Sequence, residues 1–297
     1  MLLSYGPSFW AALLFFLKDE ILTEGLMLML TVKHDLRSDP LCKDGVTIRH
    51  IADTHLGSPQ CDEDYVQALV DENIKNHWFC CLGGDLLDCA LKDSKSNSYE
   101  ATGTVGYWLD KAVDIFRPLV ENGLILGVVS GNHEQRLMRS VGFDITHEIC
   151  ERLEIGHLYS PYVVLAMVSV GTQNSRRSRN GQQTPYGYSY VIRLAHGHSG
   201  GSTAGGRALA LDKAALSIDA DLYLQGHTHH SSIQTNSIYR FNRPTLSLKQ
   251  VDRVMVCCGS CLDSEDSYGE GMNLPPTDKR YPRVLLHADR QYISYMG

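Results

Sequence analysis

Short apolar runs recur along the chain and stop, one after another, at polar clusters built from Asp, His, Asn and Gly. Residues 46–52 (VTIRHIA) are rich in β-branched side chains and predict a strand ending at Asp53-Thr54-His55-Leu56-Gly57. Residues 62–77 follow with Tyr65, Val66, Leu69, Val70 and Ile74 on one helical face. A second buried strand, 78–82, runs into Gly83-Gly84-Asp85, and another carboxylate, Asp88, comes three residues later. The two glycines permit a sharp turn and a close approach, so Asp85 can be aimed out of the strand end into a cleft. After a polar loop at 92–100, Leu109, Val113, Phe116 and Val120 mark a helix. Residues 124–129 predict a third strand, ending Ser130-Gly131-Asn132-His133-Glu134. In a β-α-β-α-β order of this kind, ligands bind outside the carboxyl ends of the strands.

Residues 143–153 are amphipathic, with Ile145, Ile149 and Leu153 in phase. Then the pattern changes. Residues 163–170 and 188–195 read as strands joined by a long polar segment, and the second ends at His196-Gly197-His198. A helix is expected over 207–218. A short strand at 221–224 ends at Gln225-Gly226-His227-Thr228-His229-His230. Strand regions at 253–258 and 283–295 close the chain. With no linker and no repeat, residues 31–297 read as one domain of mixed sheets, helical in its first half and strand-rich in its second.

Residues 1–30 stand apart as an extension. The apolar run 9–17 is too short to span a bilayer, and no Lys or Arg precedes it as a signal peptide requires. Glu24-Gly25 can be encoded by a purine-rich ribosome-binding stretch upstream of Met27, so residues 1–26 are expected to be translated leader from a mis-chosen start. A weak membrane-surface helix is the alternative, and no stable membrane association is expected. The net charge of −7 argues against indiscriminate nucleic-acid binding, so a polyanionic substrate would need local positive charge. Nine cysteines, several inside apolar runs, point to reduced, buried thiols and a cytoplasmic protein. Cys258-Gly-Ser-Cys261 has metal-knuckle spacing but no matching second pair, so core thiols near a turn are the expected reading.

Each strand-end cluster has a bland explanation by itself; the ordered set does not. Imidazoles, carboxylates and a carbonyl oxygen suit borderline divalent ions, with Mn²⁺ expected and Fe²⁺, Zn²⁺ or Co²⁺ as alternatives. The donors suffice for two ions if one group bridges them, and Asp85, with two oxygens, is the natural bridge. Two ions with two carboxylate ligands leave a net charge of about +2, which would draw phosphate into an acidic protein. A hydroxide held between the ions is the expected nucleophile.

The blocks Asp-x-His, Gly-Asp-x-x-Asp, Gly-Asn-His-Glu, His-Gly and Gly-His-Thr-His together resemble the calcineurin-like metallophosphoesterases, over Asp53 to His230. The resemblance implies an α/β, four-layer metallophosphoesterase sandwich: two mixed β-sheets face to face, flanked by helices. It implies that Asp53, His55, Asp85 and His229 hold one metal, and Asp85, Asn132, His196 and His227 the other. His133 matches the family's non-ligand histidine, which assists the leaving oxygen, and Asp88 the carboxylate that orients it. His196-Gly-His198 offers two candidate ligands. The resemblance selects His196, leaving His198 as a substrate-facing or supporting residue. Arg136 is placed either to meet a phosphate oxygen or to form a surface salt bridge.

The substrate is less legible. Ala52-Asp-Thr-His-Leu-Gly57 resembles the opening motif of the repair-nuclease branch, whereas Gly131-Asn-His-Glu134 resembles the protein-phosphatase branch. That second branch continues Asp-Arg-Gly where this chain has Asp88-Cys89-Ala90, which counts against a Ser/Thr protein phosphatase. The polar loop 94–100, the Gly-rich run 200–206 and the segment at Tyr268 are similar to phage- and prophage-borne, exonuclease-like members. The expectation is a phosphodiesterase acting on DNA, RNA or nucleotides. The alternatives are a phosphomonoesterase and a non-catalytic scaffold of the same fold. Arg176, Arg177 and Arg179, with Tyr186 and Tyr188, make the segment 171–187 either a solvated loop or a track for a polymeric substrate.

Overall fold

The computed structural model describes residues 29–91, 102–171, 187–197, 203–263 and 276–296, with two short strands at 176–177 and 183–184. The first half forms β1 (Met29–Asp35), a 3-10 turn at Pro40–Cys42, β2 (Gly45–Ile51), α1 (Glu63–Asn76), β3 (Phe79–Leu82), α2 (Val105–Glu121), β4 (Ile125–Val129), α3 (Asn132–Val141), α4 (Ile145–Arg152) and β5 (Tyr159–Ser160). The second half gives β6 (Val163–Val170), β7 (Arg176–Arg177), β8 (Gln183–Thr184), β9 (Tyr188–Ala195), α5 (Ala204–Ser217), β10 (Leu222–Gln225), β11 (Ser232–Asn242), β12 (Ser247–Cys257), β13 (Arg283–His287) and β14 (Ile293–Met296).

Ten of these strands and two edge hairpin partners make two mixed six-stranded sheets, in the orders β1-β6-β9-β10-β12-β11 and β14-β13-β2-β3-β4-β5. β2, β3, β4 and β5 run parallel, so their carboxyl ends share one edge of the second sheet. β9 and β10 are parallel in the first sheet and deliver their own carboxyl ends. Every residue of β3 and β4 is buried, as for strands covered on both faces. Gly127 of β4 sits where the sheets meet: a Cβ there would lie 2.9 Å from Val164 Cγ1 of β6 and 3.6 Å from Leu194 Cδ2 of β9.

Alternation assigns the outer layers. Leu222, Leu224, Val254 and Val256 join the main core between the sheets. Their neighbours Tyr223, Met255 and Cys257 face the other way, against Leu211 and Ala215 of α5. On the second sheet, α1 contributes Val66, Leu69 and Val70 and α2 contributes Trp108, Leu109, Ala112 and Phe116 to the main core. The four-layer α/β sandwich of two mixed sheets flanked by helices is therefore the fold. Tyr190 also ties the sheets, its hydroxyl donating to the carbonyls of His287 (2.8 Å) and Arg290 (2.7 Å) beside the β13–β14 turn.

Some expectations shift in detail. β1 starts at Met29, two residues before the expected start of the domain, and pairs parallel with β6. The region 283–295 is a hairpin of two strands, β12 begins at Ser247, and α5 starts at Ala204, where Thr203 caps it. β11, which no hydrophobic period marked, pairs antiparallel with all of β12. Residues 1–26, His198, and the loops at 94–100 and 268 lie outside the described residues. So does most of 171–187; in that segment the backbone at Arg176–Arg177 pairs antiparallel with Gln183–Thr184. No helix among the described residues is long and apolar enough to cross a membrane. All nine cysteines are free, and all but Cys61 are buried.

Candidate metal centre

The chain arrives at the shared strand edge in five loops, and the residues in them that the motifs single out are brought together. After β2 come Asp53 and His55, after β3 Asp85 and Asp88, and after β4 Asn132 and His133. His196 follows β9, and His227 and His229 follow β10. Asp53 and Asp85 are almost completely buried, at 0% and 1% exposure. The backbones of Asp53, His55, Asp85, His227 and His229 all have φ between 48° and 70°. Asp and His tolerate this left-handed region better than most residues, yet it still costs on the order of 1 kcal/mol or more at each position. Five such residues on converging loops persist because the surrounding contacts over-determine them.

Those contacts are specific. Asp53 accepts the His227 backbone N–H at 2.9 Å, and its own carbonyl accepts the Ser260 hydroxyl at 2.9 Å. The Tyr281 hydroxyl donates to the Ala52 carbonyl at 2.8 Å. The 258–261 turn thus buttresses the end of β2, and its thiols behave as core groups. Asp85 Oδ1 accepts from the His133 backbone N–H at 2.8 Å, so the carboxylate sits at the amino end of α3, where helix dipoles favour negative charge. Glu134 fixes the whole turn. Its Oε1 accepts from the backbone N–H groups of Leu86 (2.6 Å) and Leu87 (3.0 Å), and its Oε2 from those of Asp85 and Gly131 (both 3.0 Å).

Gly84 (φ +83°) lets the β3 and β4 loops nest. A Cβ there would stand 2.3 Å from the Gly131 nitrogen and 2.5 Å from the Ser130 carbonyl carbon, both backbone atoms that cannot step aside. Gly84→Ala is therefore expected to destabilise the fold by about 1–3 kcal/mol through overlap, with about 1 kcal/mol more for the left-handed backbone. A denaturant midpoint measures this directly; an unchanged midpoint would show that the two loops can separate at no cost.

Three groups of ligand-type atoms result, each gathered within 4.8 Å: Asp53, His55 and His229; Asp85, His196 and His227; and His55, Asp88 and His133. In the first, the Nε2 atoms of His55 and His229 are 3.0 Å apart, and His229 Nε2 is 3.4 Å from Asp53 Oδ1. In the second, His196 Nε2 is 3.2 Å from Asp85 Oδ2 and 3.0 Å from Asn132 Oδ1, while His227 Nδ1 is 2.7 Å from Asn132 Oδ1. His196 Nδ1 donates to the Gly83 carbonyl at 2.8 Å, which turns its Nε2 toward the cluster. In the third, His133 Nδ1 lies 3.0 Å from Asp88 Oδ1 and 2.7 Å from the Asp88 carbonyl, with Nε2 free to face the cluster 3.8 Å from Asp85 Oδ2.

The electrostatics follow from burial and crowding. Burial, then the neighbouring His133 and His229, push His55 down to about 3. Burial disfavours the charged form of His196 as well, but the Asp85 carboxylate outweighs it and raises His196 to about 10. Burial likewise opposes the Asp85 carboxylate, and the surrounding histidines overcome it and hold Asp85 well below the usual range. His133 is raised in the same way: burial opposes the imidazolium, while the Asp85 charge and the Asp88 hydrogen bond favour it. Imidazole nitrogens turned toward each other and toward buried carboxylates form a donor set that fits divalent cations. His55 Nδ1, buried without a hydrogen-bond partner, is a further sign of groups placed for something other than the fold.

Arg136, on the second turn of α3, forms no salt bridge among the described residues; its Nη1 is buried without a hydrogen-bond partner, and its charge is felt at Asp88 and His133. Glu134, Ser260 and Tyr281 carry parts that the motif reading did not assign. Of these only Glu134 had a sequence signal, as the third helical residue after a glycine, where a glutamate reaches back to free backbone N–H groups.

No family model matches the chain, and no curated protein matches it in sequence. Among solved structures it is similar to a conserved uncharacterised protein of Streptococcus pneumoniae TIGR4 described as a predicted phosphoesterase (15% identity, TM-score 0.34, covering 84% of this chain and 97% of that one). It is also similar to Vps29 of Entamoeba histolytica complexed with zinc (12% identity, TM-score 0.35, 84% and 98%) and to a single-substitution variant of that protein (12%, TM-score 0.38, 84% and 97%). At these identities and scores the likeness assigns no activity to this chain.

Proposed function

We propose that this chain is a metal-dependent phosphoesterase that hydrolyses phosphodiesters of nucleic acids or nucleotides. The observation that carries this reading is the convergence, on five loops at strand ends of the two sheets, of buried carboxylates and imidazoles, five of them in left-handed backbone on three of those loops. Asp53, His55, Asp85 and His229 would hold one divalent ion, and Asp85, Asn132, His196 and His227 the other, with Mn²⁺ the expected metal. Such ions polarise a phosphoryl oxygen and make water nucleophilic at neutral pH.

The remaining side chains have work of their own. The Asp88 carboxylate and carbonyl both accept from His133 Nδ1, so the ring is fixed with Nε2 toward the cluster. A proton held at Nε2 can pass to the departing alkoxide oxygen, which is a poor leaving group without it. The Arg136 guanidinium, close enough to influence both His133 and Asp88, supplies positive charge and free donors for a non-bridging phosphate oxygen. The resemblance of residues 52–57 to a nuclease motif favours diesters over monoesters.

Hydrolysis of a generic phosphomonoester, a generic phosphodiester, and single- and double-stranded DNA, compared with Mn²⁺ present, tests this reading. Faster diester and DNA cleavage supports it. Preference for the monoester would make the chain a phosphatase, and no turnover with ions bound would make it a scaffold. His133→Ala is expected to keep its ions and lose about 10²–10⁴-fold in turnover. That loss should shrink for diesters with acidic phenol leaving groups, which need no proton. An equal loss across leaving groups would remove His133 from proton transfer.

A further inference from the structure

A second cluster of ligand-type side chains lies at the other end of the same sheet. Asp39 caps the 3-10 turn ahead of β2, Cys42 is its last residue, and His77 caps α1 just ahead of β3. β2 and β3 run parallel, and Asp53 and Asp85 leave from their opposite ends. At about 3.3 Å per residue, seven-residue β2 puts about 20 Å between the two clusters.

One ligand atom from each of Asp39, Cys42 and His77 lies within 4.8 Å of the other two. His77 Nε2 is 2.8 Å from Asp39 Oδ2, and the Cys42 thiol donates to the same carboxylate. Asp39 Oδ1 is meanwhile used by the Leu41 backbone N–H at 2.9 Å, so Oδ2 is the oxygen turned to the cluster. The His77 ring is braced edge-on against Phe79, with centroids 5.4 Å apart. Cys42 is buried at the base, whereas the side chains of Asp39 and His77 are 26% and 28% exposed and leave a way in from solvent.

We propose that Asp39, Cys42 and His77 form a separate binding site for a zinc-class divalent ion. Sulfur, imidazole nitrogen and carboxylate oxygen are zinc's usual donors, and three protein ligands with an open fourth position are a recognised arrangement. A thiolate and a carboxylate balance the ion's two charges, and the imidazole binds neutral. The hydrogen bonds to Asp39 already hold the three donors together, so little rearrangement is needed. Binding releases the thiol proton, which burial and then the Asp39 charge otherwise retain by raising Cys42 to about 12. The ion would staple the turn before β2 to the end of α1, a structural role independent of the proposed hydrolysis.

The ligand-type groups gathered at the carboxyl edge supply oxygen and nitrogen, although the Cys258 thiol lies 3.8 Å from Asp53 Oδ2, so a thiolate-to-cobalt charge-transfer band reports the second cluster when it depends on Cys42. The full-length chain, stripped with a chelator and titrated with Co²⁺, is expected to develop that band, lose it on addition of Zn²⁺, and retain it in Asp85→Asn. Cys42→Ser should abolish it. His77→Asn, chosen because Asn tolerates the φ of 53° at this position, should keep the thiol and the fold and weaken Co²⁺ binding at the band by about tenfold or more. No band in the folded chain, a band that survives Cys42→Ser, or unchanged affinity in His77→Asn would each overturn the proposal.

Discussion

Asp85→Asn is expected to abolish hydrolysis and to cost the chain at least one of its two proposed ions. The residue is 1% exposed, and both its side-chain oxygens are committed: Oδ1 accepts the His133 N–H, and Oδ2 faces His196 Nε2 at 3.2 Å. Asparagine keeps the volume but has one acceptor instead of two. Its amide nitrogen must then point either at the His133 N–H, donor against donor, or toward the ions. The substitution also removes the buried charge that offsets two dications and that keeps His196 charged in their absence. Losing a preorganised electrostatic partner of this kind costs about 10²–10³-fold in turnover by itself. Elemental analysis of the purified variant, with circular dichroism to confirm the fold, provides the check. Two ions per chain at full occupancy in Asp85→Asn would remove this residue from the bridging position.

The parts of the molecule legible in the sequence are those where burial imposes a period. β3, β4 and β9 are apolar on at least one whole face, and the chemistry-bearing residues follow directly at their ends, so strand and cluster announce each other. β1 was hidden because its inward positions are Leu30, Val32 and His34. The histidine, whose Nε2 is 2.9 Å from the Leu126 carbonyl, breaks the apolar alternation although it points the same way. β11 was hidden for a related reason. In its outer half the half-buried face carries Asn236, Ile238 and Arg240 and the exposed face Ser237, Tyr239 and Phe241, so apolar and polar residues mix on both faces and no hydrophobic period results. In the candidate centre, the motif residues themselves could be named from type and order. What could not be read was the support beneath them. Ser260 and Tyr281 act on the backbone carbonyls of Asp53 and Ala52 from more than 200 residues away, and a carbonyl acceptor leaves no trace in side-chain identity. Arg136 was open between a phosphate contact and a surface salt bridge; only the fold, by burying its Nη1, sets it against Asp88 and His133.

Glu134→Gln is expected to be the most damaging conservative change outside the proposed ligands. The carboxylate is 1% exposed and accepts four backbone N–H groups: those of Asp85, Leu86 and Leu87 on the β3 loop and that of Gly131 on the β4 loop. It ties both loops together alongside the His133 contacts to Asp85 and Asp88, and so helps fix where Asp85 stands relative to Asn132 and His133. Glutamine has one carbonyl oxygen, so whichever way it turns, its NH₂ faces two of those donors. Two hydrogen bonds to a charged acceptor are lost, each worth about 1.5–3 kcal/mol, and their N–H groups stay buried. Part is returned, because burial and the nearby Asp85 charge make this carboxylate costly and push it up to about 7. The net loss should be about 2–4 kcal/mol by chemical denaturation, as expected when a buried hydrogen-bond network is broken. Function should fall with it even below the unfolding transition, since a carboxylate displaced by about 1 Å can cost on the order of 10²-fold. Glu134→Asp separates charge from reach: it keeps both acceptor oxygens but is one methylene short of spanning the two loops. If Glu134→Asp restores both stability and turnover while Glu134→Gln does not, charge alone is what the site needs. If both variants fail alike, the site needs both the two acceptor oxygens and the reach between the loops.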